Sequence, residues 1–280
     1  MKVHLLWVVA ATIDRRAIVE KFDQGARLAY EAIAPVYDDF TANHNFELWI
    51  GNLLPAVEAH DIPCRRLLDV ACGTGKSFLP MLERGWMVTG CDIAPAMLAR
   101  ADAKVEADDP VDLAVADMRE LPQFGEFGLV WCLTDALNYL LTEQELDAAM
   151  AGMVRNLHAE GAIVFDLNTL YAYRTFFAED VEVDGAAGRM IWKGMGSPTA
   201  SPGSVAEARF VLEAAPKPDD APVPAAIHRQ RHFPEPTVLA ALERAGAECV
   251  DLFGINYDAA LKQPMNEDRH TKAVYVAKKV

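Results

Sequence analysis

The stretch of the chain that most directly indicates chemistry is a glycine-rich turn at residues 69–77, with the sequence Asp-Val-Ala-Cys-Gly-Thr-Gly-Lys-Ser. An apolar run at 66–71 leads into it and a segment with helical spacing follows, which predicts a strand, a turn and a helix. Glycines let the backbone approach a ligand closely, and the start of a helix presents unpaired N–H groups. The pattern therefore predicts a ligand-binding turn of a kind that three protein families use.

Two of these families fit the turn poorly. A P-loop requires G-x-x-x-x-G-K-[ST]; Gly75, Lys76 and Ser77 supply its end, but Val70 stands where its first glycine should be. A dinucleotide-binding turn requires G-x-G-x-x-G, and Phe78 stands at the third glycine, where close packing of helix on strand needs a small residue. A nicotinamide-linked oxidoreductase is disfavoured, and a P-loop-like nucleotide-binding protein is kept as a weaker alternative.

The third family matches both the turn and the acids that follow it. Residues 69–75, D-x-A-C-G-T-G, resemble the first motif of class I S-adenosylmethionine-dependent methyltransferases. Residues 88–98 resemble that family's second strand with its acidic tip, residues 116–118 the loop after the third strand, and residues 127–132 the fourth strand. The resemblance covers residues 26–170. It implies S-adenosyl-L-methionine as the cofactor and methyl transfer as the activity, and sugar-amine methyltransferases are among the similar subfamilies.

The resemblance also implies roles in cofactor binding for individual residues. Asp92 is expected to accept hydrogen bonds from both ribose hydroxyls and Asp117 one from the adenine amine, with Ile93 and Met118 on either side of the ring. Asp69 is expected to act near the methionine end. A single acid of this kind is as readily explained as a helix cap. The further expected cofactor contacts are Tyr30, Tyr37, Ala71, Cys72, Gly73, Gly75, Met97 and Cys132, of which the two tyrosines are equally consistent with core packing.

Candidate catalytic residues follow the fourth strand and end a later one. Asp135, Asn138 and Tyr139 are expected beside the sulfonium, although Asn138 could instead cap a helical turn and Tyr139 could belong to the core. His232 ends a strand predicted at 226–233, on the face that also carries His228, so a histidine could act as a base there. A charged edge strand is the alternative. A hydroxyl acceptor needs a general base and an amine does not, so nitrogen and oxygen both remain open.

The elements that must position these residues alternate in kind. Short apolar runs alternate with helical segments up to residue 170, which predicts a parallel sheet covered on both faces; the runs are 66–71, 87–91, 111–116, 127–133 and 162–168. The helical segments between them are 76–84, 94–104 and 143–158, and a capping box of Thr142 and Glu145 is expected before the last. With the resemblance, this predicts a doubly wound, seven-stranded, mostly parallel Rossmann-like α/β fold.

The domain organisation follows from these patterns. We expect an N-terminal extension at 1–25, a cofactor-binding domain at 26–170 and 234–280, and an antiparallel β-rich insert at 171–233 that serves as a substrate lid. Strands of the insert are expected at 189–194, 205–212 and 226–233.

Composition and charge narrow the choice of partners. The formal net charge of −15 repels phosphate backbones, so we expect no nucleic acid. The resemblance implies a small-molecule methyl acceptor as the partner. Five scattered cysteines without a C-x-x-C pair argue against disulfides and a metal site and favour a reducing cytoplasm. Residues 1–13 imitate a signal peptide but are too short to span a bilayer, so no membrane partner is expected. A homodimer and a non-catalytic protein that only binds the cofactor both remain open.

Overall fold

Seven strands form the main sheet within the residues that the computed structural model describes, 25–213 and 226–280. In chain order they are β1 (Arg66–Val70), β2 (Met87–Asp92), β3 (Val111–Val115), β4 (Phe127–Cys132), β5 (Leu157–Asn168), β10 (Ala247–Ile255) and β11 (Lys272–Lys279). Across the sheet the order is β3, β2, β1, β4, β5, β11, β10, and β11 alone runs antiparallel to its neighbours. The predicted fold class is confirmed.

Helices cover both faces of this sheet. Those in the described residues are α1 (Gly25–Ile33), α2 (Tyr37–Phe40), α3 (Phe46–Glu58), α4 (Leu79–Glu83), α5 (Pro95–Asp102), α6 (Glu143–Arg155), α7 (Leu170–Arg174) and α8 (Glu235–Ala245). One apolar layer joins α6 and α8 to the sheet, and a second joins α3 and α5 to the opposite face. Thr142 and Glu145 form the expected capping box at the start of α6. Each of these four helices therefore buries one apolar stripe against the sheet.

Four antiparallel strands make a second sheet, in the order β6 (Asp180–Gly185), β7 (Gly188–Gly194), β8 (Val205–Glu213) and β9 (Ala226–Arg231). Three of them lie in the stretches expected from the sequence, whereas β6 was not predicted. Along β9 the side chains alternate as expected, with His228 and Gln230 buried and Arg229 exposed. Residues of α1 pack on this sheet, and β9 contacts the 3-10 turn Ala136–Tyr139. The second sheet is thereby held beside the carboxyl edge of the first.

Some expected boundaries differ from the structure. A helix was expected over 76–84, but α4 begins only at Leu79 because the glycine turn runs on through Phe78. A helix was expected up to residue 158, but α6 ends at Arg155, where the buried Asn156 side chain bonds to the main chain of a neighbouring loop.

Two parts of the expected domain arrangement fall outside the residues that the structure describes. Residues 1–24 of the expected N-terminal extension and residues 214–225 of the expected insert are outside the described residues. None of the helices in the described ranges combines the length and the apolar character that crossing a membrane requires.

Candidate active site

A cavity of about 460 Å³ opens at the carboxyl edge of β1, β2 and β3. The register places the last residues of these strands side by side, with Val70 opposite Cys91 and Asp92 opposite Val115. The loops that follow therefore meet at one edge, which is where open α/β sheets bind ligands. The cavity has two walls that differ in composition. The strand-edge wall consists of Ala71, Gly73, Asp92, Ile93, Met97, Asp117 and Met118, and the tyrosine wall consists of Tyr30, Tyr37 and Tyr139.

The glycine turn folds tightly because three of its residues adopt a positive φ, namely Ala71 at 59°, Gly73 at 55° and Gly75 at 83°. A Cβ on Gly75 would lie 2.7 Å from the Phe78 ring, so only glycine fits there. Ala71 is not glycine, so it holds this conformation at a cost that its surroundings must offset. The turn brings the Gly73 main chain to the cavity and packs Phe78 beneath it.

Asp92 links the loops that follow β1 and β2. Its Oδ2 accepts a hydrogen bond from the Gly73 amide at 2.9 Å, and its Oδ1 accepts one from the Ala94 amide at 2.8 Å. The side chain is nearly buried, and burial raises the pKa of its carboxyl to about 6 in spite of these bonds. The carboxylate thus lines the cavity while each of its oxygens accepts a main-chain hydrogen bond.

Asp117 lies on the same wall but is already paired. It begins the 3-10 turn Met118–Glu120, accepts from the Arg119 amide at 2.9 Å and receives the Arg119 guanidinium at 2.7 Å. Arg119 also contacts Glu145 at 3.1 Å, and both Arg119 and Glu145 line the cavity. Neither of these two residues was predicted from the sequence. The only signal for Arg119 was its position two residues after Asp117, an acid expected to bind the cofactor.

Four residues that the sequence placed at the cofactor do not line this cavity. Asp69 is buried and accepts a hydrogen bond from Ser77 Oγ at 2.6 Å, and burial raises the pKa of its carboxyl to about 7. Because side chains alternate along a strand and Val70 lines the cavity, Asp69 points to the opposite face. The other three are Cys132, which is buried in the core, Cys72, which lines a separate small cavity, and Gly75, which acts through the shape of the turn.

Asp135, expected as a catalytic group, does not line the cavity either. Its carboxylate forms an ion pair with Lys272 and accepts from Gln230 Nε2 at 2.7 Å. Thr134 and Asp135 both have positive φ, and their amides donate to the buried Asp166 at 2.5 and 2.9 Å. The loop after β4 is thus held by hydrogen bonds to the buried Asp166, and the Asp135 carboxylate takes part in the same network through Lys272.

Asn138 and His232 also lie away from the cavity. Asn138 is fully buried, donates to the Arg231 carbonyl at 2.8 Å and accepts from the Asn168 amide at 2.9 Å. It therefore ties β5 and β9 together and does not cap a helical turn. His232 is buried with its Nε2 3.1 Å from a Glu267 oxygen. Of the four expected catalytic residues, Tyr139 is the one that lines the cavity.

The tyrosine wall is a chain of aromatic groups from three separate elements. The Tyr30 ring lies 6.0 Å from Tyr37 and 5.3 Å from Tyr139, measured between centroids. The Tyr30 hydroxyl donates to Tyr139 Oη at 3.1 Å, and Tyr139 Oη lies 2.8 Å from His228 Nδ1. His228 is 1% exposed, and burial lowers its pKa to about 4, so the imidazole is neutral near pH 7. The histidine that reaches the cavity wall is His228 and not His232.

Comparison with known proteins identifies one segment of the chain. Residues 67–161 match the family model described as a methyltransferase domain. This segment is a methyltransferase domain. It contains the glycine turn, Asp92 and Asp117, and the resemblance drawn from their sequence is thereby confirmed. The cofactor that the resemblance implied for such a domain is S-adenosyl-L-methionine.

Relatives of the methyltransferase domain agree in fold. The YqeM protein of Bacillus subtilis (strain 168) is 32% identical over 158 residues, which are 56% of this chain and 62% of that protein. The chain thus spans about three fifths of the length of the first curated relatives that it matches. The crystal structure of an S-adenosylmethionine-dependent methyltransferase from Clostridium acetobutylicum ATCC 824 superposes with a TM-score of 0.73 and 18% identity, covering 89% of this chain and 98% of that one. The sugar N-methyltransferase KedS8 from Streptoalloteichus sp. ATCC 53650 has a TM-score of 0.64 and 25% identity, covering 88% and 93%.

Proposed function

We propose that the chain binds S-adenosyl-L-methionine in the 460 Å³ cavity and transfers its methyl group to a nitrogen of a small molecule, with a sugar amine as the first class to test. The observation that supports this most is that Asp92 and Gly73, on the strand-edge wall, face the same cavity as Tyr30 and Tyr139. A cofactor held on the first wall would present its sulfur to an acceptor held on the second.

The residues of the strand-edge wall fit this cofactor. The Asp92 carboxylate lines the cavity, where two ribose hydroxyls could donate to it beside the amides of Gly73 and Ala94. A Cβ on Gly73 would stand 3.5 Å from Met97 Cε, so the bare backbone leaves room for a ligand to approach. Ile93 and Met118 line the cavity and contribute apolar surface that an adenine ring could contact. The bound cofactor would supply a methyl group activated by the positive charge on sulfur.

A nitrogen acceptor suits the tyrosine wall better than an oxygen acceptor. A hydroxyl acceptor needs a base that can take its proton during the transfer. Burial lowers the pKa of His228 to about 4, and it raises the pKa of the Tyr139 phenol, so neither is matched to an alcohol. Asp135 is paired with Lys272, which it shares with Asp166, and it does not line the cavity. A neutral amine attacks without such a base, and the named activity of KedS8 is in keeping with an amine.

The chain's own contribution to methyl transfer is to orient the acceptor and to exclude water. Tyr30, from α1, and Tyr139, from the turn after β4, both line the cavity, and a hydrogen bond joins their hydroxyls. Ile227 and Arg229 of β9 also line the cavity, so the second sheet closes the side that the main sheet leaves open. Orientation of this kind accounts for a large part of the rate of an in-line displacement. We therefore assign the second sheet the role of a substrate lid.

The experiment that tests this proposal is incubation with S-adenosylmethionine and two matched sugars, one carrying an amino group and one a hydroxyl at the same carbon. We expect S-adenosylhomocysteine and a methylated amine to form together, with no product from the hydroxyl sugar. Asp92→Asn should abolish turnover, whereas Asp112→Asn, the same change at an exposed position of β3, should not. Methylation of the hydroxyl would contradict the nitrogen assignment. Tight cofactor binding with no product from any amine would favour a non-catalytic binding protein.

A further inference from the structure

We propose that His228 is a positioning residue that keeps the hydroxyl hydrogen of Tyr30 turned away from the acceptor amine, so that the nitrogen lone pair stays free to attack. This inference rests on the proposed function, because it concerns how that same cavity holds an amine. It assigns a role to an imidazole that lies behind the tyrosine wall and does not itself line the cavity.

The three side chains form one directed chain of hydrogen bonds. The Tyr30 hydroxyl donates to Tyr139 Oη at 3.1 Å, so the Tyr139 hydrogen must point elsewhere. His228 Nδ1 lies 2.8 Å from Tyr139 Oη, at the right distance to take that hydrogen. A neutral imidazole has one nitrogen that accepts, and with Nδ1 accepting, Nε2 carries the proton. The direction therefore runs from Tyr30 through Tyr139 to His228.

The burial of His228 supports this direction. The side chain is 1% exposed, and it packs between the rings of Tyr30 and Trp192, with centroid distances of 5.5 and 5.0 Å. Burial lowers its pKa to about 4, so Nδ1 is unprotonated and can accept near neutral pH. His228 Nε2 is buried and has no partner among the described residues. An apolar ring would avoid that cost, so the imidazole is explained by what its Nδ1 does.

The result at the cavity is an oxygen that can only accept. Tyr30 lines the cavity, its hydrogen is directed to Tyr139, and within the described residues no group donates to its oxygen. An amine N–H would donate to this oxygen, which leaves the nitrogen lone pair for the methyl group. If the hydrogen pointed into the cavity instead, it would bond to the lone pair and suppress the nucleophile. Removing the acceptor at His228 permits that reversal.

The test compares two substitutions of His228. His228→Phe keeps a ring but removes the acceptor, and we expect kcat to fall by about tenfold or more, the value of one hydrogen bond. His228→Asn offers an amide oxygen close to the position of Nδ1, and kcat should stay within about threefold of the unmodified protein. The affinity for S-adenosylhomocysteine should be unchanged in both, since the strand-edge wall is untouched. A loss in His228→Asn as large as that in His228→Phe, with normal ligand binding, would overturn the inference.

A double-substitution cycle separates this role from simple packing. In a Tyr30→Phe background there is no hydroxyl hydrogen to misdirect, so adding His228→Phe should cost less than about twofold in kcat. Two independent losses that multiply would contradict the proposal. If His228→Phe does not fold, Tyr139→Phe removes the same acceptor from Tyr30 and should show the same fall in kcat. Absence of any methylated amine from the unmodified protein would count against the proposed function itself, whereas turnover that is indifferent to His228 would count against this inference alone.

Discussion

The two walls of the cavity are built by different means. On the strand-edge wall, Asp92 bonds to the amide of Gly73, only 19 residues earlier in the chain, so a side chain locks a main-chain turn. On the tyrosine wall, Tyr30, Tyr139 and His228 bond through side chains alone, across separations of 109 and 89 residues. The first wall is as rigid as the sheet that carries it. The second depends on how three separate elements pack, so it can vary while the sheet stays the same.

The walls also differ in charge. Asp92 and Asp117 put carboxylates on the strand-edge wall, and the buried Asp69 lies just beneath it. The tyrosine wall presents neutral hydroxyls, since burial raises the pKa of Tyr30 and lowers that of His228. A cationic cofactor is therefore drawn to one wall, and the other wall discriminates by the direction of its hydrogen bonds.

The largest expected effect tests the buried charge beneath the strand-edge wall. Burial raises the pKa of Asp69 from its ordinary 3.8 to about 7, so the folded protein holds that proton more tightly than the unfolded chain. Stability should then fall as pH rises from 4 to 7, by up to about 4 kcal/mol from this group. Urea unfolding of Asp69→Asn at each pH should give a flatter curve, with Asp92 common to both proteins. Parallel curves would contradict the burial argument.

The second effect concerns the carboxylate that faces the cofactor. Asp92→Asn should weaken binding of S-adenosylhomocysteine by about 100-fold or more, equivalent to about 3 kcal/mol, because a charged acceptor for two hydroxyls is lost. Isothermal titration calorimetry measures this, with Asp112→Asn as the matched control on β3. Equal affinity in the two variants would remove Asp92 from the proposed site.

The third effect concerns the support of the tyrosine wall. Asn138→Ala leaves the Asn168 amide and the Arg231 carbonyl without a partner in a buried position, so we expect a loss of about 2 kcal/mol in unfolding free energy. The affinity for S-adenosylhomocysteine should change little, since Asn138 does not touch the strand-edge wall. A change in affinity as large as that of Asp92→Asn would show that the two walls are not independent.

The smallest effect separates the two acids of the strand-edge wall. Asp117 already receives the Arg119 guanidinium, and Arg119 keeps Glu145 as a second partner. Asp117→Asn should therefore cost about 1 kcal/mol, or about fivefold in affinity for S-adenosylhomocysteine, in the same calorimetric titration. A loss that matches Asp92→Asn would mean that the ion pair opens when the cofactor binds.

The sequence predicts the strand-edge wall better than it predicts the tyrosine wall. The glycine turn, Asp92 and Asp117 stand at the ends of consecutive strands, so spacing alone brought them to one edge. The sequence could also predict which face of the sheet carries the Asp69 side chain, because side chains alternate along a strand and Val70 points to the other face. The sequence could not predict that His228, and not His232, lies beside the cavity wall, since this depends on a contact between His228 and Tyr139, 89 residues away. Strand β6 escaped prediction because its residues alternate between half-buried and exposed, with no apolar run.

The claim on which the account depends most is that adenosine and a sulfur centre lie between the two walls. A crystal structure with S-adenosylhomocysteine tests it directly. We predict that both ribose hydroxyls lie within hydrogen-bond distance of the Asp92 carboxylate and that the sulfur lies on the side of Tyr30 and Tyr139. A nucleoside bound elsewhere, with Asp92 still bonded only to the amides of Gly73 and Ala94, would contradict it.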